Sequence, residues 1–398
     1  MEKDRLPFKD GIRRLNGNNV AAGLVAGTFG CTGSALLIIN AANNLNLAKV
    51  DTISWLFAIY FFGGLIGVIL SLKYKIPISG AYTISGTILL LGNARIYSIE
   101  ELAGAYLISG LIILLIGLTG LKEKVLNILP VPLVMGMVSG VLTRFILTMM
   151  ESISSEPFLT ILVLAGFLIL PKVFKKTPPI ILALLIGIVG SILLKKINIS
   201  NVSFDYILPR LIFPKFNIDL IMSISIPLSI LIMGSENAQA IGILKSQGYN
   251  PPINVMTIAS GLGSIAASIF GGHSANIAGP MTAICSSEEA GENKDDRYLA
   301  SVINGLIFII FGLFASVALN LVTVLPKAFI SLIAGLSMLG VLRKSFNETF
   351  TSSKFKTGSI FCYLIALSNI TLLNIGAPLW ALIIGTIVSF INEKKDFH

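Results

Sequence analysis

The chain has 398 residues, of which 54% are hydrophobic and only 12% charged, and its mean hydropathy is +0.86. This composition excludes a disordered chain and an ordinary soluble globule, and it predicts a multi-pass membrane protein. The net charge of +9 does not indicate a nucleic-acid partner, because the cations lie in short loops between apolar runs rather than on one basic face.

Apolar runs of about 17 to 25 residues, separated by charges, Pro and Gly, predict fourteen membrane crossings. They lie near 18–42, 51–72, 80–92, 101–121, 130–150, 157–172, 178–195, 219–243, 252–270, 273–288, 298–322, 326–343, 356–373 and 376–392. The third and tenth are too short for plain spanning helices, and each follows a helix-hostile stretch, Lys75–Gly80 or Phe270–His273. We expect an extended entry into a half-length helix at both places.

The distribution of basic residues predicts the orientation of the chain. If the N-terminus is cytoplasmic, only eight of the 29 Lys and Arg residues lie outside or near the outer ends of the spans. This excess of positive charge on one side favours fourteen crossings in the cytoplasmic membrane, with both termini in the cytoplasm. The basic N-terminus precedes an apolar run that is too long for a signal peptide, so we expect an uncleaved first span.

The two halves of the chain resemble each other. Ala105–Gly120 aligns without gaps with Ala300–Ala315, and Thr83–Gly86 matches Asn276–Gly279 at a similar offset. If each copy has seven spans, an odd number, the second copy is inverted in the membrane. The predicted fold is therefore an all-α polytopic membrane protein of two inverted seven-helix repeats, with broken third and tenth segments. Such repeats are typical of secondary transporters, which bind substrate between them near the membrane midplane.

Glu236 is the only ionisable side chain between Leu220 and Leu244, in the predicted eighth span. A carboxylate there is costly unless it faces a cavity or a partner, so it indicates a functional site. We predict that Glu236 couples protons and that the N-termini of both half-helices face the same substrate. The predicted substrate-binding residues come from segments 1, 3, 8 and 10: Thr32, Ser34, Tyr82, Thr83, Glu236, Asn237, His273, Ser274 and Asn276.

Enzyme motifs are absent from the sequence. It contains no G-x-x-x-x-G-K-[ST] loop, no H-E-x-x-H motif and no paired intramembrane carboxylates. Besides His273 the only histidine is the terminal His398, so a histidine-based metal site cannot be built. We therefore expect neither an enzyme nor a cofactor, and too few polar residues lie within the spans to line a channel.

Several motifs resemble those of the benzoate/proton symporter family (BenE type), which is related in fold to the uracil and xanthine permeases. They are Gly234–Ala238, Lys245–Tyr249, Phe270–Gly272, Thr282–Cys285 and Asp296–Ala300. The resemblance implies a core domain (18–125 and 219–322), a gate domain (126–200 and 323–392), a cytoplasmic segment 1–17 and an external loop 201–218. It also implies homodimers, and a substrate site between the two broken segments.

Two functions are compatible with this reasoning. Beside an aromatic carboxylate, an ionised Glu236 is repulsive, so substrate binding should favour the protonated glutamate and produce symport. With a neutral nucleobase, ionised Glu236 could accept two ring N–H bonds instead. The first function follows the family resemblance. The second is the alternative. The benzoate family commonly carries glutamine where this chain has Glu236, whereas a glutamate at this position resembles the nucleobase permeases. Anion exchange, a channel and a membrane enzyme rank below both.

Overall fold

A computed structural model describes residues 14–31, 33–91, 97–120, 130–174, 179–197, 206–323, 325–368, 370–372 and 375–397. The first half contains eight helices and one short strand: α1 Gly17–Cys31, α2 Gly33–Asn44, α3 Lys49–Tyr74, β1 Gly80–Ala81, α4 Ile84–Leu91, α5 Ile99–Thr119, α6 Val131–Ser155, α7 Pro157–Leu168 and α8 Pro179–Leu193. The second half contains α9 Ile218–Lys245, α10 Ile253–Ser268, β2 Asn276–Ile277, α11 Gly279–Ser286, α12 Tyr298–Leu313, α13 Ala315–Thr323, α14 Lys327–Phe350, α15 Lys356–Ser368, β3 Thr371–Leu372, β4 Ile375–Gly376 and α16 Ala377–Asn392.

The chain is a mostly helical, multi-pass membrane protein. Within the described residues, five helical segments are long and apolar enough to cross a membrane: Gly17–Asn44, Lys49–Tyr74, Ile99–Thr119, Ile218–Lys245 and Lys294–Leu313. Six further helices are apolar but shorter. The predicted third and tenth segments are each a two-residue strand followed by an eight-residue helix, as the sequence suggested.

Local sequence explains where these helices begin and end. At the start of α5, the Ser98 hydroxyl accepts from the Glu101 N–H while the Glu101 carboxylate accepts from the Ser98 N–H, a capping box that satisfies two otherwise free donors. The same helix ends at Gly120 in the left-handed conformation, with φ of 69°. The long helix α9 contains two π-helical turns, Ile221–Ser225 and Ile232–Asn237.

The helices pack in two groups. The first group surrounds the strands β1 and β2. In this group α3 packs on α12, α5 on α10 and α1 on α12. In the second group α6 packs on α14 and α15, α7 on α8 and α15 on α16. The two groups meet where α14 contacts α2 and where α4 contacts α6.

Aligned glycines mark equivalent helix crossings in the first group. Gly110 of α5 lies against α10, where an added Cβ would be 2.9 Å from the Ile265 nitrogen. Its sequence counterpart Gly305 of α12 lies against α3, where an added Cβ would be 2.7 Å from the Gly64 oxygen. Each half therefore contributes one helix to a close crossing with the other half.

Two helix boundaries differ from the sequence prediction. The predicted eleventh crossing, 298–322, is interrupted at Phe314, whose backbone leaves the helical conformation at φ −99° and ψ 21°. The predicted twelfth crossing ends at residue 343, whereas α14 continues to Phe350. Arg343 and Lys344 are good helix formers, and the extension buries Ser345 and Thr349, so the helix continues past the two cations.

Candidate functional site

The two broken segments meet as a pair of antiparallel strands. Gly80 pairs with Ile277 and Ala81 with Asn276, and the N–H of Ala278 donates to the Ser79 oxygen at 2.9 Å. Because α4 and α11 follow these strands directly, the pairing brings the N-termini of both half-helices to one place. The free N–H groups and dipoles of such helix ends favour an anionic or acceptor-rich ligand.

Thr83 caps α4 and links it to the second half. Its hydroxyl accepts from the Gly86 N–H at 3.1 Å, which is the usual contact of an N-cap residue. Its own N–H donates to the Ser274 hydroxyl at 3.0 Å. Ser274 therefore holds the backbone of the first half-helix in place.

Glu236 is bound to the same cap. It lies in the π-helical turn Ile232–Asn237 of α9, its side chain is 7% exposed, and one carboxylate oxygen accepts from the Thr83 hydroxyl at 3.2 Å. A π-turn shifts side chains out of the regular helical register and is frequent at functional sites. The carboxylate is thus one hydrogen bond away from the N-terminus of α4.

Glu236 lines a cavity of about 220 Å³ between the two helix groups. One wall comes from the half-helices and α9: Tyr82, Ile84, Ser85, Glu236, Gln239, Ala278, Pro280 and Met281. Phe29 of α1, also in the first group, adds to this wall, and the remaining lining residues come from α6 and α14 of the second group: Met135, Gly340, Lys344 and Ser345. Most of the lining is apolar, with a few polar side chains among it, which is the usual composition of a small-molecule site.

Tyr82 presents its ring to the cavity and its hydroxyl to the protein. The hydroxyl lies 2.7 Å from that of Tyr60 and donates to the Gly30 oxygen at 3.2 Å. The ring packs edge-on against Tyr60, with 5.0 Å between centroids. Buried Ser34 lies beside the same hydroxyl. Tyr82 therefore contributes an ordered aromatic surface to the cavity wall.

His273 lies behind the half-helix rather than among the described cavity-lining residues. Its Nδ1 accepts from the Trp55 indole N–H at 2.9 Å, and its Nε2 lies 2.8 Å from the Thr83 carbonyl oxygen. Indole nitrogen can only donate and a carbonyl can only accept, so these contacts are satisfied together by the neutral tautomer that carries its proton on Nε2. His273 thus joins α3 to the cap of α4 and acts as a positioning residue.

Replacing Trp55 by phenylalanine is expected to loosen this junction. Buried Nδ1 of His273 then loses its donor, at a cost of about 1–3 kcal/mol in the free energy of unfolding, measured as a lower melting temperature of purified protein. Trp380→Phe is the matched control, because the Trp380 N–H bonds to the Leu372 oxygen at an exposed site. With two histidines in the chain, ¹⁵N shifts can assign the His273 tautomer directly. A melting temperature equal to that of Trp380→Phe would contradict the role assigned to Trp55.

Asn237 and Asn276 are not among the described residues that line the cavity. The Asn237 side-chain oxygen accepts from the Ser260 hydroxyl at 3.1 Å, and that hydroxyl also accepts from the Ile277 N–H at 3.3 Å. The Asn276 amide donates to the Ile277 oxygen at 3.0 Å. These contacts fix β2 against α10. Predicted Thr32 lies outside the described residues.

Four polar cavity residues were not identified from the sequence: Ser85, Gln239, Lys344 and Ser345. Gln239 lies three residues after Glu236, so helical spacing places both on one face of α9, a signal that was available. Its side chain packs so closely on Gly279 that an added Cβ there would be 2.6 Å from Oε1. Lys344 was counted among the cytoplasmic loop cations, whereas the structure places it within α14, where it lines the same cavity as Glu236.

Solved structures that share this fold include a bicarbonate transporter and an anion transporter. The transmembrane domain of the cyanobacterial bicarbonate transporter BicA matches 94% of this chain and 98% of its own length, with a TM-score of 0.63 and 16% identity. The murine anion transporter Slc26a9, in an inward-facing state, matches 99% of this chain and 73% of its own, with a TM-score of 0.66 and 15% identity. These similarities show the transporter fold.

The relatives found by sequence are more similar to this chain, at 27–30% identity. "Inner membrane protein YdcO" of Escherichia coli is 30% identical over 384 residues, which cover 94% of this chain and 97% of that protein. "Benzoate membrane transport protein" of Acinetobacter baylyi is 27% identical over 373 residues, which cover 94% of each. The family model described as "Benzoate membrane transport protein" matches residues 14–391. The resemblance seen in the motifs is thereby confirmed: the chain belongs to the benzoate membrane transport protein family.

Proposed function

We propose that this membrane transporter takes up benzoate, or a similar small aromatic carboxylate, together with protons. The observation that carries the proposal is the buried Glu236 carboxylate, bound to the Thr83 cap and lining a cavity. The name of the Acinetobacter baylyi relative supports benzoate as the substrate. A volume of about 220 Å³ lies below the range of drug-sized pockets, roughly 300–1,000 Å³, and suits a small molecule.

The cavity walls are suited to an aromatic ring carrying a carboxylate. The ring of Tyr82 and the apolar side chains of Ile84, Met135 and Met281 offer a surface on which a planar ring buries area. The substrate carboxylate lies toward the half-helix N-termini and hence near Glu236. Two ionised carboxylates held close together repel each other, so the substrate binds best when Glu236 carries a proton. By linkage, the proton then also binds best when the substrate is present.

Movement of one helix group against the other would open the cavity to either side of the membrane. We assign the fourteen-span, inverted-repeat architecture to the chain, with core and gate domains corresponding to the two helix groups, both termini in the cytoplasm and a homodimeric assembly. The equivalent crossings at Gly110 and Gly305 and the antiparallel β1–β2 pair support the repeat. Because Glu236 and Met135 line one cavity from different groups, a relative displacement of the groups changes access to the site.

Uptake by reconstituted protein tests this function. Purified protein in liposomes should accumulate radiolabelled benzoate when the outside is made acidic, and a protonophore should abolish the accumulation. Uptake of radiolabelled uracil that unlabelled benzoate does not inhibit would identify the nucleobase alternative. Uptake that needs an internal anion, such as bicarbonate, and no proton gradient would identify exchange. Either of these results would overturn the proposal.

A further inference from the structure

Lys344 brings a positive charge to the cavity from the second helix group. It lies in α14 and lines the same cavity as Glu236. Among the described residues of the lining, Glu236 and Lys344 are the two that carry a formal charge. A cation placed this way meets any anion that enters between the two groups.

Glu348, the ion-pair partner of Lys344, binds the ammonium only weakly. Its Nζ lies 3.7 Å from the Glu348 carboxylate one helical turn away, and both side chains are partly exposed, at 40% and 33%. Exposed pairs of this kind contribute about 0–1 kcal/mol. The ammonium can therefore leave Glu348 for a ligand at little cost, and its long flexible stem allows it to reach one.

We propose that Lys344 binds the carboxylate of the transported anion and is the residue that selects anionic over neutral substrates. This inference rests on the proposed function and adds the residue that recognises charge. Without such a cation, an anion entering beside Glu236 would meet only helix dipoles and a like charge.

The same placement predicts how many protons accompany each anion. In the empty cavity Glu236 and Lys344 balance each other. When the substrate carboxylate pairs with Lys344, the Glu236 charge is left without a counter-ion, and one proton from solution restores the balance. Glu348, the ion-pair partner of Lys344, and the Tyr82 hydroxyl are the other titratable groups near the two charges, and His273 is bonded to Thr83. We therefore expect one proton to be taken up per anion bound.

Titration calorimetry on the purified full chain tests the inference. The two ligands are benzoate and benzamide, which is a neutral analogue of the same shape. Wild-type protein should bind benzoate about tenfold or more tightly than benzamide, because a hydrogen bond to a charged group is worth about 1.5–3 kcal/mol. Lys344→Met should lose this preference while binding benzamide as before, and Lys344→Arg should largely keep it. Arg343→Met, an exposed neighbour in the same helix, should behave as wild type.

The outcomes separate the two proposals. If wild-type protein binds neither benzoate nor a related acid, the proposed function fails. If it binds benzoate and Lys344→Met keeps the preference over benzamide, the role of Lys344 fails while the function stands. Glu348→Gln leaves the lysine intact and removes its competing partner, so it should tighten benzoate binding without affecting benzamide. A weakened benzoate affinity in Glu348→Gln would also overturn the inference.

Discussion

Replacing Glu236 by glutamine is expected to abolish the accumulation of substrate that a pH gradient drives. In wild-type protein with one proton per anion, a difference of one pH unit supplies about 1.4 kcal/mol, which supports about tenfold accumulation. Glutamine keeps the size of the side chain and can still accept from the Thr83 hydroxyl, but it cannot carry the proton. The accumulation ratio across liposomes should therefore fall to about one, measured with radiolabelled benzoate.

Equilibrative transport distinguishes lost coupling from lost folding. Glu236→Gln should still exchange labelled for unlabelled benzoate without a gradient, because the cavity and the cap of α4 remain. Glu288→Gln makes the same chemical change at an exposed position outside the described cavity lining, and it should accumulate benzoate like the wild type. Gradient-driven accumulation that persists in Glu236→Gln would rule out Glu236 as the coupling residue.

A methyl group added at Gly80 is expected to disrupt the site as a whole. A Cβ on Gly80 would lie inside van der Waals contact with the Gly63 oxygen of α3 and 2.7 Å from the Gly67 nitrogen. Both obstacles are backbone, so neither can move without shifting α3 or separating β1 from β2. Overpacking of this kind typically costs 1–3 kcal/mol and occasionally more, and we expect at least about 3 kcal/mol for Gly80→Ala. The measurement is the melting temperature and yield of monodisperse protein.

Gly242→Ala is the matched control for this prediction. It adds the same atom to a helical glycine that has nothing within 4 Å of the new Cβ. Replacing glycine by alanine inside a helix is favourable by roughly 0.5–1 kcal/mol, so the control should be neutral or slightly stabilised. Equal stability of the two variants would show that the crossing of β1 and α3 is looser than the structure indicates.

The sequence carried most of the information about the segments. Apolar runs and their charged or Pro and Gly breaks predicted most helix boundaries to within a few residues, since the length of a crossing is set by the membrane. The exceptions are the break at Phe314 and the extension to Phe350. Lys75–Gly80 and Phe270–His273 predicted both half-helices, because extended backbone there leaves too few residues for a full span. The π-turn Ile232–Asn237 was not predicted from the sequence.

The site was less accessible from sequence, because it depends on which way side chains point and on contacts between distant residues. Ser274 and His273 were predicted to bind substrate, and the structure shows them bonded to Thr83, about 190 residues earlier. No local pattern reveals such a pairing. Lys344 was missed because a cation at the end of an apolar run has the same local sequence whether it lies in a loop or on a cavity wall.

The pairing of β1 with β2 also constrains the order in which the protein is completed on the ribosome. Gly80 and Ala81 are synthesised about 200 residues before their partners Ile277 and Asn276. At about 5–20 residues per second, the first strand waits at least about ten seconds for the second. Throughout that interval its backbone N–H and C=O groups need other partners, because unpaired groups in the bilayer cost several kcal/mol each. The backbone groups of β1 therefore bond to water or to the insertion machinery until β2 has been synthesised.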